Sequence, residues 1–250
     1  MDDDLPPDPE PADPFEFEGD LAGAVFWGAD LTGATFRDVD LTSASVSHAR
    51  VVDVHIDARI DRLIVNGVDV TDFVNERDPW FPLRSMLEPT DPAGLRATWA
   101  MLEEAWTDTQ SLAKGLPEED LRRSVDGEWS FVETLRHLVF AIDKWFTAPI
   151  VGAPFDPIGL PNSGSVDFPW PDLDQSARPS PADASAVFQS RVDAVRDHLD
   201  TVASDDLEQH VDVLENGDHT VLECVWVVFE EAFWHNRYAR RDLEALMPPT

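Results

Sequence analysis

The apolar positions of this chain change period along its length. From Leu21 they fall every five residues, at Leu21, Phe26, Leu31, Phe36, Leu41, Val46, Val51 and Ile56. A second, mostly small series at Gly19, Ala24, Ala29, Ala34, Val39, Ala44, Ala49 and Val54 runs two positions ahead. Neither a helix of about 3.6 residues per turn nor a strand of period two produces that spacing. A square coil does, each side taking five residues and turning one large and one small side chain inward. Eight repeats make two coils, and the register stops where Arg59, Asp61 and Arg62 intrude. A two-coil stack exposes apolar ends. The stretch Arg62 to Val70 reads as strand, Asn66-Gly67 turn and strand, a hairpin placed to cap it, which gives a first domain over 15–75.

After a proline-punctuated linker over 76–90 the period becomes helical, and four segments emerge within 91–250. Asp91 and Pro92 supply an N-cap and a first-turn proline for a helix to Gly115. Ser130 and Glu133 have capping-box spacing and open a second, to about Ala148, carrying Phe131, Leu135, Leu138, Val139, Ile142 and Trp145. Ser180-Pro181 with Asp183 starts a third, to about Ser204. Thr220 and Glu223 cap a fourth, stopped by Met247-Pro248-Pro249. Between the second and third lies a crossover over 149–179, whose Phe155, Phe168 and Trp170 predict a packed lid or pocket wall. The expected architecture is α+β and multidomain, a short β-coil followed by a four-helix bundle.

Charge narrows the partners. Eighteen basic residues stand against 50 acidic ones, a net charge of −32, and Lys114 and Lys144 are the only lysines. That field repels phosphate backbones, which argues against direct nucleic-acid or anionic-membrane binding, while leaving room for an acidic mimic of nucleic acid. The single Cys224 cannot form an intramolecular disulfide and suits a reducing compartment. Residues 1–14 are acidic and proline-rich, with little to bury, and read as a disordered, solubilising tail. They lack the basic and apolar regions of a leader, and no apolar run reaches spanning length, so a soluble cytoplasmic protein is expected.

Candidate chemistry gathers on the fourth helix. Glu231 and His235 lie four apart, so a carboxylate and an imidazole point the same way one turn apart. They share a stripe with Cys224, Val228, Tyr238 and Asp242 on an otherwise apolar segment. The pair could grip a metal ion, or the two could satisfy each other or a neighbouring arginine. His137 sits inside the second helix. Two histidines and one carboxylate suffice for a divalent transition metal with positions left open. Glu133 is better explained by its capping box, and Cys224, two turns from Glu231, by a buried core thiol. Arg237, Arg240 and Arg241 either hold an anionic ligand or pair with carboxylates. His198, His210 and His219 read as surface residues, and Trp129 and Trp234 as packing beside the candidate ligands. No phosphate-binding glycine loop and no nucleophile elbow occurs.

Two resemblances extend this reading. The five-residue repeats resemble the pentapeptide-repeat family, whose members form a right-handed quadrilateral β-helix and some of which act as acidic duplex mimics on DNA-binding enzymes. Residues 91–246 resemble the DinB-like superfamily of metal-binding four-helix bundles through Gly127-Glu128-Trp129-Ser130, Glu133-Thr134-Leu135-Arg136-His137-Leu138 and the run from Glu230 to Leu243. That resemblance implies His137, Glu231 and His235 as metal ligands, with Glu231 at a position where many members carry His and the mycothiol-dependent isomerase carries Glu. It implies a divalent metal, zinc first and nickel or iron as alternatives. Mycothiol or a similar small thiol would be the cosubstrate and a small electrophile the other partner, in thiol transfer or thiol-dependent isomerisation. Arg237, Arg241 and Trp170 are the candidates for holding substrate or cofactor; no general base is identified. A metal-dependent hydrolase is the near alternative. The more distant one is an acidic binding or DNA-mimic protein whose bundle holds metal without turnover, with a homodimer through the repeats as one expected assembly.

Overall fold

The computed structural model describes residues 19–37 and 39–247, so the acidic tail and the terminal prolines lie outside the described residues. Contacts divide the chain into two compact units, Met1–Ile56 and Asp57–Thr250.

In the first unit, turns recur every ten residues. The carboxylates of Asp20, Asp30 and Asp40 accept from the N–H groups of Ala22, Thr32 and Thr42 at 2.7, 3.0 and 2.8 Å. Ala24, Ala34 and Ala44 each donate to the carbonyl three residues back, at 2.9 to 3.0 Å. Among the described residues of this unit no strand forms. The large members of the repeat are exposed, from 49% at Leu31 to 82% at Val46. A closed β-helix with these side chains inside is therefore not what the structure shows. A coil interior is built by layers stacked above and below, and eight repeats supply only two.

In the second unit the expected hairpin is present. β1 (Ile64–Val65) pairs antiparallel with β2 (Val68–Asp69) across Asn66-Gly67, both at positive φ. It groups with the helices that follow and not with the repeats it was expected to cap. Residues 76–90 are no bare linker either. After α1 (Thr71–Asn75), α2 (Phe81–Arg84) and the turn beyond it bury Leu83 and Leu87 in the main core. Their apolar content outweighs the prolines around them.

Long helices dominate the described residues of this unit, and local chemistry sets their starts. α3 (Pro92–Ala113) begins where the Asp91 carboxylate accepts from Ala93 and Gly94. α5 (Phe131–Ile142) follows the short α4 (Glu118–Leu121) and opens on a complete Ser130/Glu133 capping box. α6 (Pro181–Leu199) is capped by Ser180. It stops short of Ser204 because Thr201 and Val202 turn back onto the His198 carbonyl and α7 (Ser204–Leu207) begins. α8 (Val221–Leu246) opens on the Thr220/Glu223 box. Thr220 is also the last residue of a hairpin that the apolar pattern did not predict, β3 (His210–Val213) with β4 (Gly217–Thr220). α3 packs on α8 and α6, and α5 packs on α6 and α8. Trp106 illustrates the contacts: its ring meets Phe188 of α6 at 4.9 Å and its indole N–H donates to the Ala232 carbonyl of α8 at 2.9 Å.

Beyond Ile142, α5 widens into a π-helical segment, Asp143–Val151, which accommodates Pro149 where a regular helix would want an N–H. The crossover then folds back onto α5. Arg136 donates to the Ile158 carbonyl at 2.8 Å, and Leu160 N–H donates to the Arg136 carbonyl at 3.1 Å. Phe155 and Trp170 bury themselves against Phe140 with Phe168 alongside, so the aromatics form a packed wall. Further along, Lys144 and Ser165 both bond Glu215 of the β3–β4 turn, at 2.6 and 2.7 Å. No helix of the described residues is long and apolar enough to cross a membrane.

Candidate metal centre

The capping boxes at Ser130 and Thr220 fix where α5 and α8 begin, and the α5–α8 packing brings His137 opposite Glu231 and His235. Their ligand atoms all lie within 4.8 Å of one another, the only such group of three among the described residues. His137 is buried, and Glu231 and His235 are partly so. His137 Nε2 lies 3.2 Å from Glu231 Oε2, and His235 Nδ1 lies 3.2 Å from the same oxygen.

The other contacts decide what this cluster can do. His137 Nδ1–H donates to the Leu160 carbonyl at 3.1 Å, and His235 Nδ1–H donates to the Glu231 carbonyl at 2.9 Å. Burial lowers the His137 pKa below the ordinary histidine range, against the opposing pull of Glu231, so the neutral imidazole is favoured. Burial alone would raise Glu231. A proton that either ring directs at Oε2, with the positive charge it brings, outweighs this and holds the carboxyl well below the usual carboxylate range. With Nδ1–H committed to Leu160, neutral His137 turns the Nε2 lone pair toward a carboxylate oxygen. Two acceptors facing each other at that distance need a cation between them, a proton or a metal ion. Two imidazole nitrogens and one carboxylate oxygen converging from two helices are a suitable donor set for zinc, nickel or iron.

Aromatic rings surround the cluster. Trp129, the residue before the α5 cap, lies 4.5 Å from the His137 ring and 6.0 Å from that of His235. Tyr238 meets His235 edge-on at 6.3 Å, and Phe140 lies 6.2 Å from His137. Trp170 stands one layer behind, 4.8 Å from Phe140, with its indole N–H donating to the Ser165 carbonyl. Arg237 points elsewhere. Its Nη1 contacts both oxygens of Asp57 at 2.6 and 2.7 Å, beside the rings of Trp80, Phe233 and Trp234. Arg241 pairs with Asp242 at 2.7 Å and lies over Tyr238 at 5.5 Å. Cys224 is a buried free thiol, and Glu133 closes its capping box as expected. His198 departs from its expected surface position: it is half-buried against Phe146 at 5.2 Å. The Leu160 carbonyl carries no signature in the sequence, because its role depends on the backbone path of the crossover and not on its side chain.

Comparison with curated proteins and with solved structures returns no match. Family models match twice: pentapeptide repeats, in eight copies, over residues 20–55, and the DinB superfamily over residues 101–239. The second match spans more than half of the chain, including α5, the crossover, most of α8 and all three residues of the cluster. The chain belongs to the DinB superfamily and carries pentapeptide repeats ahead of that domain.

Proposed function

We propose that the helical unit is a metal-dependent thiol transferase or thiol-dependent isomerase, with His137, Glu231 and His235 holding one divalent ion, zinc in the first instance. The observation that carries this reading is the convergence of a neutral imidazole, a carboxylate and a second imidazole on one point from α5 and α8. When bound, such an ion stabilises a thiolate, so a small thiol of the mycothiol type is deprotonated near neutral pH and able to attack a small electrophile.

The chain's own residues prepare that site. Leu160 fixes the His137 tautomer that leaves Nε2 for the ion. Glu231 supplies the negative charge that offsets part of the ion's own. The crossover and the rings of Trp129, Phe140 and Tyr238 limit the water around the donors. Superfamily membership and the Glu at position 231 favour thiol chemistry over the metal-dependent hydrolase.

The test is elemental analysis of the wild type beside His137→Ala and His235→Ala, followed by consumption of mycothiol with an aryl halide. About one ion per wild-type chain, lost in both variants together with turnover, is the expected result. A wild type that takes up no added metal, or turnover that survives chelation and His137→Ala, overturns the proposal.

A second reading concerns the repeats. Phe26, Trp27 and Phe36 are 60%, 92% and 59% exposed, which favours a binding or self-association role for that unit over a catalytic one. Light scattering after size exclusion reads it directly: a dimer that dissociates in Trp27→Ala supports self-association, and a monomer at high concentration removes it.

A further inference from the structure

Trp129 is the one ring among the described residues that contacts both imidazoles of the cluster. Those imidazoles come from different helices, with rings 4.7 Å apart and planes 36° from parallel. The chain holds Trp129 tightly at this place. Glu128 N–H donates to the Val125 carbonyl at 2.9 Å across a turn whose central residues, Asp126 and Gly127, both take positive φ, 50° and 80°. The Ser124 hydroxyl donates to the Glu128 carbonyl, and the capping box fixes Ser130 on the other side. The indole is thus clamped between a tight turn and a helix start, its ring against the two imidazoles.

We propose that Trp129 is a positioning residue for the metal centre: its indole sets the relative orientation of His137 and His235, and so the geometry in which the ion is held. The inference rests on the metal-binding reading given above. Leu160 fixes one nitrogen of His137, but a hydrogen bond to Nδ1 leaves the ring free to tilt about that bond. His235 is held through Nδ1 by its own helix and has the same freedom. An indole stacked on His235 at 20° and set at 43° against His137 restricts the tilt of the two together. Rotamer freedom left in a ligand reduces affinity, because binding must then order it. Trp129 therefore acts through the ligands, without donating to the ion.

The experiment is cobalt(II) titration of full-length wild type, Trp129→Phe and Trp129→Ala, read by visible ligand-field absorption, with circular dichroism of the metal-free proteins to confirm folding. In Trp129→Ala the cobalt affinity falls by ~10-fold, the scale of losing a group that orients a ligand, and the absorption bands shift. Trp129→Phe, which keeps an aromatic face, restores most of both. A folded Trp129→Ala protein with wild-type affinity and an unchanged spectrum overturns the positioning role while leaving the metal site intact. Weaker binding with an unchanged spectrum in both variants overturns it too, since this is what loss of simple cover would give. Failure of the wild type to bind cobalt overturns the metal reading itself, and the role of Trp129 with it. If Trp129→Ala does not fold, Trp129→Phe against Trp129→Leu gives the same comparison at nearly constant bulk, and equal spectra overturn the proposal.

Discussion

At the scale of single residues, this protein separates two groups whose chemistry could be confused. Cys224 and Glu231 lie on one stripe of α8, two turns apart, and a thiol on the stripe of a candidate metal cluster could be mistaken for one of its ligands. Burial decides otherwise. Cys224 is completely buried, and desolvation pushes its thiol up to about 12 from the ordinary value of 9.0. It therefore behaves as a small apolar side chain. A thiol reagent at pH 8 is expected to leave native protein unmodified and to label one thiol per chain in guanidinium; rapid labelling of the native state would contradict this. The sign of the stability effect follows. A thiol whose folded pKa is raised contributes stability that is complete below about 9 and is lost as the pH climbs toward about 12. Cys224→Ala should remove part of that alkaline loss. The same rule makes Glu231 informative: partly buried beside imidazoles it stays ionised, whereas buried among apolar groups Cys224 stays neutral.

At the scale of elements, what could be read from the sequence was what is local. The starts of α3, α5, α6 and α8 follow from Asp91, Ser130, Ser180 and Thr220, because a cap and its N–H partners lie within three residues. The Glu231/His235 spacing is local in the same sense. The β3–β4 hairpin carries no such local signal, because His210 to Thr220 has little apolar alternation: one of its strands is Gly217-Asp218-His219-Thr220. The Asp57 contact of Arg237 spans 180 residues, and no periodicity announces such a pairing. The crossover is the instructive middle case, since its aromatic content predicted a wall but not which backbone atom reaches the site. Gly159 shows how close that backbone comes. A Cβ there would stand 2.8 Å from Leu173 Cδ2 and 3.3 Å from both Phe140 Cβ and the Asp156 carbonyl oxygen. Gly159→Ala is expected to cost about 1–3 kcal/mol through overpacking. It should also weaken metal binding by displacing the neighbouring Leu160 carbonyl. Isothermal titration with zinc beside a denaturant melt tests both, and unchanged zinc affinity in a destabilised protein would separate the crossover from the metal centre.

At the scale of the whole molecule, the dominant fact is 32 uncompensated negative charges on a 250-residue chain. Many basic groups are already committed to particular carboxylates. Arg84 is buried between Asp57 and Asp78, and Arg191 reaches the fully buried Asp143 at 2.7 Å. A pair as deep as Arg191–Asp143 is screened little by added salt, whereas repulsion among exposed carboxylates is screened once the Debye length falls to about 10 Å near 0.1 M. The two effects of salt are therefore unequal, and relief of repulsion should win. With the metal removed by chelation, raising sodium chloride from low concentration to 0.1–0.5 M (order of magnitude) should raise the melting temperature of the helical unit. Each ~1 kcal/mol recovered corresponds to about 2–4 °C for a domain of this size. A midpoint that falls with salt would mean that exposed ion pairs such as Arg122–Glu118 and Arg240–Glu244 contribute more than surface pairs usually do. An ion held by the proposed cluster would add to this on a separate axis, because an ion that binds only the folded state stabilises by mass action, about 2.7 kcal/mol at a hundredfold excess over its Kd. The salt response should persist in His137→Ala while the metal response disappears, which assigns the first to the charge of the whole chain and the second to the cluster on α5 and α8.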